Sequence, residues 1–192
     1  MTTTAAFPDP TADALLGLFE ELQVLDRVPR TGFALRGVAD AESVSEHSWH
    51  LALLVWALAP RAEGVDPARA LSMALLHDVA EVATGDLPMT ASHHFPPGAK
   101  RAAEASVAAE LLAPLPSDAL ELYAEYQAGE SPEARFVKAC DKLQLMIKVT
   151  VYERWRTGDL SDFWENERNF DDGGWPIVAE LFDRLRATHA AR

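Results

Sequence analysis

The chain predicts an all-α fold, and three observations carry that expectation. Apolar residues recur every three or four positions in seven separate stretches. Helix start signals stand in front of several of them, such as Asp66-Pro67 and Ser131-Pro132-Glu133. No stretch alternates apolar and polar residues as a half-buried strand does.

Thr11 is placed to cap a first helix running to about Asp26, with Leu15, Leu18, Phe19, Leu22 and Leu25 on its apolar face. Residues 27–40 hold Pro29, Gly32 and Gly37 and read as a loop carrying Arg27, Arg30 and Arg36. A second helix spans about Ser43 to Ala59, and His47 falls in its inner stripe with Val44, Ser48, Leu51, Leu54, Val55 and Leu58. Asp66 as N-cap and Pro67 at the first position open a third helix, expected to reach about Ala83 before Gly85 and Pro88 end it. Residues 89–98 read as a loop, followed by an alanine-rich helix over about 99–112. Ser117 is placed to cap a fifth helix to about Ala128, and Ser131 a long sixth from about Pro132 to Arg156. The inner face of that sixth helix is Val137, Cys140, Asp141, Gln144, Leu145, Lys148 and Val151. Residues 157–174 are polar with three glycines, and a last helix covers about Pro176 to Thr188. Residues 1–10 read as a flexible arm and 11–192 as one domain.

Composition excludes several classes. With 17 Lys and Arg against 30 Asp and Glu, the formal net charge is −13, so a basic stripe for a nucleic-acid polymer is not expected. Binding to an anionic membrane is disfavoured for the same reason. No stretch nears ~18 uninterrupted apolar residues, so no membrane span is expected. The N-terminus lacks the basic and apolar regions of a secretory signal. The single Cys140 fits a reducing compartment, and a cytoplasmic location is expected.

The chemistry concentrates in LLHDVAEVATGDLP, residues 75–88, which holds His77, Asp78, Glu81, Thr84 and Asp86. On a continuous helix, positions 77, 78 and 81 share one face. Such groups are costly in an apolar setting unless a cation joins them. His47, His77, Asp78 and Asp141 come from core-facing positions on three helices. Two imidazoles and two carboxylates suit one divalent transition metal, Mn²⁺, Fe²⁺, Co²⁺, Ni²⁺ or Zn²⁺, with Mg²⁺ also admissible. Six-coordination would leave two positions open for hydrolytic chemistry. Glu81, one turn beyond His77, is placed to accept a proton from water.

The order H…HD…D resembles the HD-domain superfamily of metal-dependent phosphohydrolases. SVSEHS (43–48), LLHDVAEVATGDLP (75–88) and SPEARFVKACDKLQLM (131–146) resemble the YfbR-like 5′-deoxynucleotidases, and RVPRTGF (27–33) their eukaryotic relatives. The resemblance implies an orthogonal bundle of about seven helices around one metal site. It implies metal ligation by His47, His77, Asp78 and Asp141, water activation by Glu81, and Asp86 against the sugar. Arg30 and Phe33 are the nearest matches to the nucleotide-contacting pair. Phe33 stands where the eukaryotic relatives have tryptophan, and Gln127 where relatives often carry glutamate. The implied activity is hydrolysis of deoxyribonucleoside 5′-monophosphates by a homodimer; the 5′ alkoxide that leaves needs a proton, for which Asp86 and water are the candidate donors.

Two other classes fit parts of the pattern. A di-iron oxygenase of the same fold needs further histidines after HD, and His93 and His94 lie in that interval, side by side in a proline-flanked loop. A non-catalytic, metal-stabilised nucleotide-binding module would keep the metal ligands without turnover.

Overall fold

The structure, a computed structural model, describes residues 10–191. The expected arm over 1–10 therefore lies almost wholly outside the described residues. Eleven α-helices follow in order: α1 (Ala12–Leu22), α2 (Thr31–Ala34), α3 (Val44–Leu58), α4 (Pro67–Leu76), α5 (Glu81–Thr84), α6 (Met89–Ser92), α7 (Ala99–Leu111), α8 (Asp118–Ala128), α9 (Pro132–Trp155), α10 (Ser161–Glu165) and α11 (Pro176–Ala190). Seven of them have ten or more residues and correspond to the seven expected. Among the described residues there is no strand, only an isolated antiparallel bridge between Pro29 and Ser43.

Local chemistry sets most helix starts. Thr11 accepts from the Ala14 N–H, Asp66 from those of Ala68 and Arg69, and Ser131 from that of Ala134. Ser43 and Glu46 form a reciprocal capping box at the head of α3. Ser117 does precede α8 but makes no side-chain cap.

α9 is the central helix. Phe136, Val137, Cys140, Leu143, Met146 and Val149 are fully buried on it, and α3, α4, α8 and α11 pack around it. Leu51 and Val55 of α3 and Met73 and Ala74 of α4 complete the main core. A second cluster joins Leu18 of α1, Leu111 of α7 and Tyr123 of α8 to Val79 and Ala80. The turn after α4 therefore passes from one core to the other and is pinned on both sides.

The short helices α2 and α6 form inside the stretches expected as loops, 27–40 and 89–98, and three further elements differ from expectation. The third helix does not run to Ala83. α4 ends at Leu76, and Val79, Glu81 and Val82 donate to carbonyls three residues back, at 3.3, 2.9 and 3.3 Å, in tighter 3₁₀-like turns. Phe19, placed on the apolar face of α1, is 54% exposed, because only the Leu18 and Leu25 side of that segment meets another helix. The polar 157–174 segment is not a plain loop: it forms α10 and a 3₁₀ turn over Glu167–Phe170 that packs on α9.

Candidate active site

His47 sits one turn into α3, where the capping box fixes the helix start, and is fully buried. His77 ends α4, and Asp78 follows it in the tight turn. The carbonyl of Ala74, left without a helical partner by the helix end, accepts from His77 Nδ1 at 2.8 Å. A carbonyl can only accept, so Nδ1 carries the hydrogen and Nε2 is bare. That bare nitrogen lies 3.2 Å from His47 Nε2 and 2.9 Å from Asp78 Oδ2. Asp141, from α9, places Oδ1 3.2 Å from His47 Nε2. One ligand atom each of His47, His77 and Asp78 falls within 4.8 Å of the others, and Asp141 joins this trio through His47.

Nitrogen and carboxylate-oxygen atoms of four side chains thus converge on one point. Positive charge is what the group lacks, and a divalent ion fits its two imidazoles and two carboxylates. The titration behaviour agrees. Burial opposes charge on Asp78, yet His77, Arg30 and His47 hold it well below the usual carboxylate range. Burial likewise opposes a proton on His77, but Asp78 and Asp141 raise its pKa.

Glu81 opens α5 and is 3% exposed. In the tight turn it follows Asp78 by three residues, which aligns the two side chains. Its Oε2 is buried without a hydrogen-bond partner. Burial, then the charges of Asp78 and Asp86, push its pKa up to about 9. In the metal-free site Glu81 is a neutral acid, and a cation beside Asp78 acts in the opposite direction.

Asp86 follows Gly85, whose φ of 68° turns the chain back toward the site. Its Oδ2 accepts the Thr31 N–H at 2.7 Å and its Oδ1 lies 4.0 Å from Arg30 Nη1. Arg30 Nη1 is also 3.5 Å from Asp78 Oδ2. The expected arginine therefore does reach the ligand group. Phe33 also reaches the cavity beside Arg30, although it is 1% exposed: it is wedged between Tyr152 and Phe163 and forms part of the main core as well as of the cavity lining. Thr84 donates to the Ala80 and Gly85 carbonyls at the end of α5. His93 and His94 are exposed, with their rings tilted against each other, and outside the His47–His77–Asp78 cluster.

Arg30, His77, Asp78, Glu81, Asp86 and Asp141 line a cavity of about 860 Å³. Seven of the chain's 17 Lys and Arg line it, with only six of its 30 Asp and Glu. In a chain of net charge −13 this locally balanced wall favours an anionic ligand. Lys138 packs over the Tyr126 ring at 4.3 Å, and Tyr126 in turn meets the His77 ring edge-on. Sequence reasoning gave no role to Lys138, Tyr126 or Phe163, nor to Glu42, which is 3% exposed. Glu42 stands outside any helical stripe, so periodicity gives no signal for it.

An all-helical bundle whose histidines, HD pair and later aspartate converge on one cation-seeking cluster defines an HD domain. The HD domain family model matches residues 22–173, and the chain belongs to that family. The human protein named 5′-deoxynucleotidase HDDC2 is 31% identical over 191 residues, covering 96% of this chain and 91% of its own. A conserved hypothetical protein from Pyrococcus furiosus superposes with a TM-score of 0.74 at 29% identity, covering 90% of this chain and 99% of its own. A solved structure titled as a predicted metal-dependent phosphohydrolase, from Magnetospirillum magnetotacticum, gives 0.67 at 26% identity, over 96% and 97% of the two chains.

Proposed function

We propose that this protein is a metal-dependent 5′-deoxynucleotidase, converting deoxyribonucleoside 5′-monophosphates and water to deoxyribonucleosides and phosphate. The observation that carries it is the convergence of His47, His77, Asp78 and Asp141 at the head of a cavity rich in cations. The curated relatives named 5′-deoxynucleotidase support the substrate class. In this reading the four residues hold one divalent ion. When bound, it supplies Lewis-acid neutralisation of the phosphate and makes water easier to deprotonate.

The chain's own residues do the rest. Arg30 presents a planar fork beside Asp78 and Asp86, suited to two phosphate oxygens at once. Glu81 takes the proton that water must lose as its oxygen bonds to phosphorus. The bond to the sugar 5′ oxygen breaks, and that oxygen takes its proton from Asp86 or from water in the cavity. Asp86, at the cavity wall, faces the sugar. Phe33 and Phe163, stacked on each other, line the pocket and give the nucleotide an aromatic wall. His93 and His94 are exposed and outside the His47–His77–Asp78 cluster, so they give the di-iron alternative no further histidines there.

Residues 11–192 act as one HD domain in this proposal, in the cytoplasm, as a homodimer. Cys140 is free and buried, and among the described residues no helix is long and apolar enough to cross a membrane. Trp49, Leu53 and Trp56 form an exposed stripe on α3 that suits a second copy.

The test is phosphate release from matched deoxy- and ribonucleoside 5′-monophosphates, using metal-stripped protein with single ions added back. Metal-dependent release favouring the deoxy substrates is expected. Equal release from both sugars would remove the deoxy assignment and the role given to Asp86.

A further inference from the structure

We infer that Glu42 is a positioning residue for the metal centre: through Gln144 it decides which nitrogen of His47 carries the hydrogen and so turns the bare nitrogen toward the site. The inference rests on the metal-centre reading of His47, not on which ester is cleaved.

The chain of contacts has a direction. Lys148 Nζ lies 3.0 Å from Glu42 Oε2, with the two side chains 15% and 1% exposed. Gln144 Nε2 lies 3.1 Å from the same oxygen and 3.4 Å from Oε1. A carboxylate paired with lysine can only accept, so the amide nitrogen of Gln144 must face it. The amide oxygen is then left facing His47, and His47 Nδ1 lies 2.7 Å from it. That oxygen can only accept, so Nδ1 must donate. Nε2 is thereby bare, 3.2 Å from both His77 Nε2 and Asp141 Oδ1. The orientation of an amide and an imidazole is assigned from such networks, and here the network has one consistent solution.

Glu42 is itself held rigidly. Its N–H donates to the Tyr152 hydroxyl at 2.7 Å, and its carbonyl accepts the Arg30 N–H at 2.8 Å. One residue therefore ties the Arg30 segment to the polarity of the His47 ring. Partners of this kind orient metal ligands, and their loss weakens metal affinity about 10- to 100-fold. A purely structural Glu42 would hold the helices together whichever way the hydrogen bonds ran. A directional one responds to reversal.

The experiment reads the His47 tautomer by ¹⁵N NMR in metal-free protein, on the alkaline side of the imidazole titrations, and Co²⁺ affinity by calorimetry. Wild type is expected in the Nδ1–H form. Glu42→Gln lets the Gln144 amide turn, so the Nε2–H form should appear and Co²⁺ affinity fall at least tenfold. The swap Glu42→Gln with Gln144→Glu restores the direction, because the new carboxylate accepts from both neighbours; tautomer and affinity should return. Gln144→Leu removes the acceptor altogether and gives the same loss by a second route should Glu42→Gln fail to fold. An Nε2–H wild type overturns the inference, as does a swap no better than Glu42→Gln. A wild type that binds no Co²⁺ overturns the metal-centre reading itself, and the inference with it.

Discussion

Glu81→Gln should flatten the pH dependence of stability in the metal-free protein. Glu81 keeps its proton up to about pH 9 in the folded chain, against an ordinary value of 4.5. Between those limits the folded state holds one proton more than the unfolded state. The stability this group contributes is complete below 4.5 and is lost as pH rises toward 9. The slope is at most about 1.4 kcal/mol per pH unit, so from pH 6 to pH 8 the metal-free wild type should lose roughly 3 kcal/mol through this group. His77, whose pKa is raised, adds a loss of the same sign above its ordinary 6.5. The difference between wild type and Glu81→Gln isolates Glu81, because glutamine has no proton to lose. Urea unfolding of both metal-stripped proteins at several pH values measures it. The two stability curves should converge at acid pH and separate as pH rises, with Glu81→Gln the more stable. Parallel curves would refute the placement of Glu81 in a buried, negatively charged pocket. Turnover should be lost in Glu81→Gln with metal still bound; a full rate would remove its water-activating role.

Other perturbations test other parts of the account. Asp141→Ala should abolish metal binding and phosphate release together while the helical circular dichroism is retained; activity persisting with metal lost would separate the two. Arg30→Lys keeps the charge but loses the fork, so KM should rise about tenfold, and an unchanged KM in steady-state assays would count against a phosphate contact. Gly158 has φ 73°, and an added Cβ would lie 2.8 Å from both the Arg36 carbonyl oxygen and Val38 Cγ2. Gly158→Ala should therefore cost about 2 kcal/mol in urea unfolding, and wild-type stability would show that this close approach relaxes freely.

The helices were legible because each long one writes its own signals. Asp66-Pro67, Ser131-Pro132 and the Ser43–Glu46 box mark starts locally, and the apolar stripes of α3 and α11 match the buried faces; on α9 only Val137, Cys140 and Gln144 of the expected inner face are buried, because neighbours pack around this central helix and also bury Phe136, Leu143, Met146 and Val149. His47, Asp141 and the HD pair were legible because polar groups in apolar stripes are conspicuous. The break after Leu76 was not, since it depends on where the Ala74 carbonyl meets a histidine ring and on Met73 and Ala74 entering one core while Val79 and Ala80 enter another. Glu42 gave no signal because its partners, Gln144 and Lys148, are about a hundred residues away in sequence. The near-complete burial of Phe33 at the cavity wall was not legible, because Tyr152 and Phe163 close around it, and Phe163 belongs to a stretch whose periodicity was too short to read.

The most direct test of the central claim is one titration. Metal-stripped protein is given Mn²⁺ or Co²⁺ in fractions of an equivalent while phosphate release from a deoxyribonucleoside 5′-monophosphate is followed. The account predicts no release without metal and a rate that climbs linearly and levels at one ion per chain. Release from the stripped protein, or a rate that needs two ions per chain, would contradict it.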